Sequence, residues 1–300
     1  MIFVILILAL FGIIFGANYL VDGSVGVARR FNISEFIIGA LIVGVGTSMP
    51  ELVVSTIGAW NNNADVAIGN VVGSNIFNIL GILGLTALIF PIPIDKSNLK
   101  FDLPICLSVS ILLTLLIPTI GTIEGVILLC CFIFYTLYSL HNNTTTLNTI
   151  VTDNTPVWKN VLKIIGGLSV LIISCDVFVD ESVTLAKQFG LSDAVISLTL
   201  IACGTSLPEL AASVVSAFKK NTQLALGNIV GSNIFNITFI LGLSSQITNL
   251  TSLEIGITDY IVMILSVVIL IVCGIFKKIN RFIGLLMFLS FVAYTIYLIH

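Results

Sequence analysis

Two glutamates lie inside apolar stretches of this chain, each in nearly the same seven-residue frame. Gly46-Thr47-Ser48-Met49-Pro50-Glu51-Leu52 returns as Gly204-Thr205-Ser206-Leu207-Pro208-Glu209-Leu210, displaced by 158 residues. Pro50 has no N–H, so the carbonyl of Gly46 loses its helical donor, and Gly44 and Gly46 loosen the same turn. Thr47, Ser48 and Glu51 stand at i−4, i−3 and i and therefore share one helix face. One turn thus offers backbone carbonyls, two hydroxyls and a carboxylate, all hard oxygen donors. Ala202, Gly204, Thr205, Ser206, Pro208 and Glu209 supply the same set again.

A second repeated segment, residues 69–79, returns as residues 227–237 at the same displacement, with Ile229 for Val71 the single change. Asn70, Ser74 and Asn78 are spaced by four and form a polar stripe, which Asn228, Ser232 and Asn236 repeat. Gly69 with Gly73, and Gly227 with Gly231, make the small-xxx-small pattern that lets helix backbones approach. Asn75 and Asn233 lie off the stripe and read as structural; Phe77 and Phe235 read as packing. The stripes alone serve equally well as interhelical glue.

An oxygen box with carboxylates suits Ca²⁺ and Na⁺ rather than a soft transition metal, which prefers His or Cys. His141 and His300 lie in the linker and at the terminus, and the six cysteines show no metal-like spacing. Two glutamates carry −2, which one Ca²⁺ neutralises and two Na⁺ neutralise equally. Ions competing for one site in an alternating-access protein give antiport. A lone intramembrane glutamate can be a packing hydrogen-bonder, but buried charge is costly and usually functional; two in matched heptapeptides point to function. Asp22 and Asp180 read as solvated or gating residues at helix ends, and Glu35, Glu124, Glu254 and Asp259 as interfacial.

The elements that must carry these groups follow from composition. With 300 residues, 57% hydrophobic, 9% charged and a mean hydropathy of +1.16, the chain is a polytopic membrane protein with no room for a soluble domain. The scarcity of charge, with 12 Lys+Arg and 15 Asp+Glu, excludes a nucleic-acid binder and a disordered polyelectrolyte. The apolar N-terminus lacks the charged start and cleavage site of a signal peptide and is expected to be a retained first helix.

Apolar runs predict ten transmembrane helices, over residues 2–22, 34–60, 66–90, 102–118, 122–140, 160–180, 192–218, 224–247, 256–275 and 282–299. An Asn/Thr-rich linker, residues 141–159, separates five from five. All but one of the 12 Lys and Arg fall on one side of this arrangement, the exception being Lys187. The positive-inside rule makes that side cytoplasmic and puts both termini outside. Because each repeat holds an odd number of helices, the second copy enters the membrane in the opposite sense. The fold class is therefore an all-α integral membrane protein of ten transmembrane helices in two inverted-topology five-helix repeats. The repeats are residues 1–140, with motifs at 44–55 and 69–79, and residues 160–300, with motifs at 202–213 and 227–237. Inverted repeats are the build of secondary transporters whose substrate site lies at the midplane.

These paired motifs resemble the two α-repeats of the sodium/calcium exchanger superfamily of cation/Ca²⁺ antiporters, and the likeness spans the whole chain. It is nearest to the prokaryotic calcium/sodium antiporters. The resemblance implies that Glu51 and Glu209 are the central ion ligands, aided by Thr47, Ser48, Thr205 and Ser206. It further implies backbone carbonyls at Gly44 and Ala202, support from Ser74, Asn78, Ser232 and Asn236, and sliding of residues 2–22 against 160–180. No catalytic residue, cofactor or protein partner is implied; Ca²⁺ and Na⁺ are the substrates and the lipid bilayer the surroundings. Potassium-dependent relatives carry Asp where this chain has Asn236, which speaks against potassium dependence. Proton-coupled relatives place a glutamate in the third and eighth helices, and none stands here, which favours Na⁺ coupling. The linker is too short for calcium-sensing domains. The expected function is Na⁺/Ca²⁺ exchange with Ca²⁺ extrusion across a cell membrane. The alternatives are Ca²⁺/H⁺ antiport, a cation channel and a membrane-embedded hydrolase.

Overall fold

In hydrocarbon, every backbone N–H and C=O must find an internal partner, so an apolar chain of this kind folds into helices. The computed structural model describes residues 2–141, 155–189, 202–252 and 254–299. The helices are α1 (Ile2–Phe31), α2 (Glu35–Thr47), α3 (Met49–Trp60), α4 (Ala64–Ile89), α5 (Asn98–Leu115) and α6 (Thr122–His141). After the linker come α7 (Val157–Gln188), α8 (Leu207–Phe218), α9 (Thr222–Ile247), α10 (Ile257–Ile275) and α11 (Arg281–Ile299). Among the described residues, 8 helices are long and apolar enough to span a membrane, and α2 with α3, joined at a 48° bend, makes a ninth span. A short turn, Ala202–Gly204, precedes α8. The first ten residues of the span expected over 192–218, like His300 and most of the linker, lie outside the described residues.

Three expectations are corrected. The span expected at residues 2–22 continues to Phe31, and that at 160–180 begins at Val157 and runs to Gln188. Hydropathy falls at Asp22 and Asp180, but the helices continue because nothing breaks their backbone ladders and small residues let them pack on each other. Asp22 and Asp180 therefore lie well inside helices rather than at their ends. At 1.5 Å per residue α1 is about 45 Å long, more than the ~30 Å hydrocarbon core. The linker expected over 141–159 is shorter than that, since His141 closes α6 and Val157 opens α7.

The bundle is layered by burial. In its most apolar window α9 is 94% buried and α4 72%, against 11% for α11. The two motif-bearing helices are thus central, and α5, α6, α10 and α11 flank them. Close approach of α9 to α2 needs glycine: a Cβ on Gly231 would overlap the backbone of Ala40. Antiparallel α1 and α7 pack along a seam where Gly16 meets Gly167 and Leu171. Their contacts form a hydrophobic cluster apart from the main core, including Ala17, Leu20, Val21, Leu171 and Cys175.

Among the described residues, four two-residue strands complete the fold. β1 (Ile92–Pro93) pairs antiparallel with β4 (Lys278–Ile279), and β2 (Thr119–Ile120) with β3 (Leu250–Thr251). The first ribbon joins the loop after α4 to the loop after α10; the second joins the loop after α5 to the loop after α9.

Candidate functional site

The break expected around Pro50 is present two residues earlier. Ser48 has φ −82 and ψ 12, off the helical path, and Pro50 sits in the first turn of α3 where its missing N–H costs nothing. Ser206 repeats this with φ −91 and ψ 11 ahead of α8. Each break puts Ser and Glu at the start of a new helix, aimed into the bundle: Ser48, Glu51, Ser206 and Glu209 all have zero exposure.

The two glutamates are held crosswise. Ser206 Oγ donates to Glu51 Oε1 at 2.8 Å, and Ser48 Oγ donates to Glu209 Oε1 at 2.8 Å. Ser206 also contacts Ser74 Oγ at 3.2 Å, which joins α4 to the cluster. In each carboxylate the second oxygen, Oε2, is buried without a hydrogen-bond partner. Thr205 Oγ1 is likewise unpaired, whereas Thr47 Oγ1 has Val43 O at 3.0 Å and Asn228 Oδ1 at 3.2 Å within reach of its one proton.

The asparagines divide into three jobs. Asn70 Nδ2 donates to the Glu51 carbonyl at 3.2 Å and Ser55 Oγ at 2.9 Å, and Asn228 does the same to Glu209 and Ser213 at 3.2 and 2.9 Å. They clamp the backbone of the glutamates rather than presenting oxygen to the interior. Asn75 and Asn233 cross-link α4 to α9 through each other's carbonyls, as their place off the stripe suggested. Asn78 and Asn236 give their Nδ2 groups to Asn233 Oδ1 at 3.0 Å and Asn75 Oδ1 at 3.1 Å. Their own Oδ1 atoms stay buried and unpaired. Each lies in a π-helical segment, Phe77–Leu83 or Asn236–Ile240, the widened turn often found at functional positions.

The polarity of this network is forced. A backbone carbonyl only accepts, so Asn75 and Asn233 must turn Nδ2 toward it and Oδ1 toward the next amide. That amide must answer with Nδ2, which leaves Oδ1 at the end of the chain. Both chains therefore terminate in oxygen.

The Gly44 carbonyl accepts from Ser48 N–H at 3.1 Å and from Ser232 Oγ at 3.1 Å, with Thr47 Oγ1 at 3.4 Å. The backbone of Ala202 lies in the short turn before α8.

Sequence reading missed the clamp partners Ser55 and Ser213, although each sits one turn past a glutamate at the repeated displacement. It also missed buried Asp102, which accepts from Asn98 at 3.3 Å and Tyr135 at 3.3 Å. Asp259 and Tyr294 make the comparable bond at 2.6 Å in the other half, so this carboxylate ties flanking helices together. Phe77 and Phe235 do pack, against Phe291 at 4.8 Å and Phe132 at 5.4 Å between centroids.

The sodium/calcium exchanger protein family matches residues 1–141 and 159–300. The chain is 36% identical over 298 residues to the putative antiporter CaxA of Alkalimonas amylolytica, covering 94% of this chain and 93% of that one. It is 30% identical over 344 residues to the sodium/calcium exchanger MaX1 of Methanosarcina acetivorans, covering 99% and 98%. A solved structure of the sodium-calcium exchanger NCX_Mj soaked with zero Na⁺ and Ca²⁺ matches with a TM-score of 0.89 at 32% identity, covering 98% of this chain and 97% of that one. With its motif helices crossed over two buried glutamates and its length matched from end to end, the chain belongs to the sodium/calcium exchanger family.

Proposed function

We propose that this protein is a secondary active transporter that exchanges Na⁺ for Ca²⁺ by alternating access, with Na⁺ entry driving Ca²⁺ out of the cell. One observation carries the reading. Glu51 Oε2, Glu209 Oε2, Asn78 Oδ1 and Asn236 Oδ1 are four buried oxygens in two matched pairs, all without a donor. Unpaired buried acceptors cost about 1–3 kcal/mol each. A cation removes that cost, and these are the oxygen types that Ca²⁺ takes.

In this reading Glu51 and Glu209 are the charged ligands, and Thr47, Ser48, Thr205 and Ser206 position or supplement them. Asn78 and Asn236 add neutral oxygens; Ser74, Ser232 and the carbonyls of Gly44 and Ala202 complete the shell as the helices move. The chain is organised as ten transmembrane helices in two inverted five-helix repeats, residues 1–140 and 160–300, joined by a cytoplasmic linker. It lies in the cell membrane with both termini outside. The pair α1 and α7 slides past the central helices, since it packs chiefly on itself.

The test is radioactive Ca²⁺ uptake into sealed proteoliposomes loaded with Na⁺, beside vesicles carrying only a pH gradient, with Glu209→Gln as the blank. Uptake that requires the outward Na⁺ gradient and vanishes in the variant is the expected result. Uptake driven by the pH gradient alone would move the assignment to Ca²⁺/H⁺ antiport. No flux under either gradient would sink both.

A further inference from the structure

The helix that carries Glu209 is tied to the α1/α7 pair by one ionic contact. Lys219 follows directly after α8, and its Nζ reaches across to α1, where it meets Asp22 Oδ1 at 2.7 Å and the Asn18 carbonyl at 3.2 Å. Lys219 is 26% exposed and Asp22 54%, so water reaches the contact and it can open and close. Nothing in ion binding uses it.

Among the described residues, no counterpart stands on the other half. The residue 158 positions before Lys219 is Asn61, and the one 158 positions after Asp22 is Asp180. The two turns have the same shape. Asn61 has φ −83 and ψ 10, Lys219 has φ −81 and ψ 4, and the following Asn62 and Lys220 are both left-handed at φ 56 and φ 63. The same bonds close them, Asn63 N–H to Gly58 O at 2.8 Å and Asn221 N–H to Ser216 O at 2.8 Å. The backbone is therefore equivalent, and only the side chain differs: a lysine on one face, a neutral asparagine on the other.

We infer that Lys219 and Asp22 form a one-sided strap that holds the Lys219 face of the carrier closed and so biases it toward opening at the opposite face. Sliding of α1 past α8 must break the strap each time the Lys219 face opens. Among the described residues, no equivalent bond resists opening on the Asn61 face. Lys219 is a positioning residue: it sets the population of the two states without touching the ions. The inference rests on the exchange reading above.

In a two-state carrier the apparent KM at one face scales inversely with the fraction open to it. Partly exposed ion pairs are worth a factor between about 1.5 and 5 in a population. The experiment compares Ca²⁺ KM at the two faces, using right-side-out and inverted membrane vesicles of the full-length protein. Lys219→Gln or Asp22→Asn should lower the ratio of KM at the Lys219 face to KM at the opposite face by about 1.5- to 5-fold. The paired exchange Asp22→Lys with Lys219→Asp should return it to the wild-type ratio. Asn61→Lys should also lower it by a similar factor, because a partner for Asp180 holds the opposite face closed and raises KM there; this variant leaves the original strap intact and still reports if the others fold poorly. A ratio unchanged in all variants, or both KM values moving by one common factor, would overturn the strap. Wild-type vesicles without Na⁺-driven Ca²⁺ flux would instead refute the exchange reading.

Discussion

Asn75 and Asn233 donate their side-chain amides to each other's backbone carbonyls, at 3.1 and 3.0 Å, from positions 158 residues apart. A residue bonded reciprocally to its own repeat mate sits where the two halves meet. From that point the amide chain runs outward to Asn78 and Asn236 and ends in two unpaired oxygens. Two asparagines whose own side-chain oxygens are satisfied thus decide which oxygens of their neighbours are left without a donor.

Replacing one of them tests this. Asn75→Leu leaves the Asn233 carbonyl without its side-chain donor and the Asn236 amide without an acceptor, a loss of about 1–3 kcal/mol for each unsatisfied group. Thermal unfolding in detergent should fall, and Ca²⁺ affinity should fall with it as Asn236 turns. The double variant Asn75→Leu with Asn233→Leu should cost less than the sum of the singles, because they share one network.

Ca²⁺ should stabilise the protein strongly. A ligand present at 100 times its Kd adds about 2.7 kcal/mol to the bound fold, so chelation should lower the melting temperature of the wild type. Glu209→Gln should abolish most of that difference. An unchanged shift in the variant would mean that Ca²⁺ is held elsewhere.

Each glutamate should be separately required. Glu51→Gln and Glu209→Gln both remove a charge from a buried pair of matched carboxylates, and each should weaken Ca²⁺ binding by more than tenfold, about 1.4 kcal/mol or more. Calorimetry on the purified protein measures this without transport. Protons compete for the same oxygens, so Ca²⁺ binding releases them and affinity should drop as the buffer is acidified.

Gly231→Ala should be destabilising by about 1–3 kcal/mol through overpacking, since the added methyl meets the Ala40 backbone. Gly166→Ala is the control, as a Cβ there meets nothing within 4 Å. Melting curves of the two variants should separate clearly.

Much of this was legible in the residues. The fixed displacement of the motifs marked Glu51 and Glu209, and the proline in each frame marked the break that turns them inward. Spacing by four grouped Asn70 with Asn78, yet the two do different work: one clamps a carbonyl and the other offers oxygen. Spacing fixes a face, whereas hydrogen-bond polarity depends on which partner arrives from another helix. The ends of α1 and α7 were misjudged at Asp22 and Asp180 for a related reason. Hydropathy reports where lipid stops, while a helix continues as long as its backbone ladder and neighbours allow. The Lys219–Asp22 contact links positions 197 apart and has no signature in local sequence.

The two short ribbons restrict how such a protein can move. β1 with β4 staples the halves together at one end of the bundle, and β2 with β3 staples them at the other. Each is only two residues long and weak alone, but they act at opposite ends of the same lever. A clamshell motion, in which one half tilts against the other, would have to pull one staple apart whichever way it swung. The α1/α7 pair carries neither staple. The ribbons therefore make the bundle a frame, and under the exchange reading proposed above the α1/α7 pair is its sliding bolt.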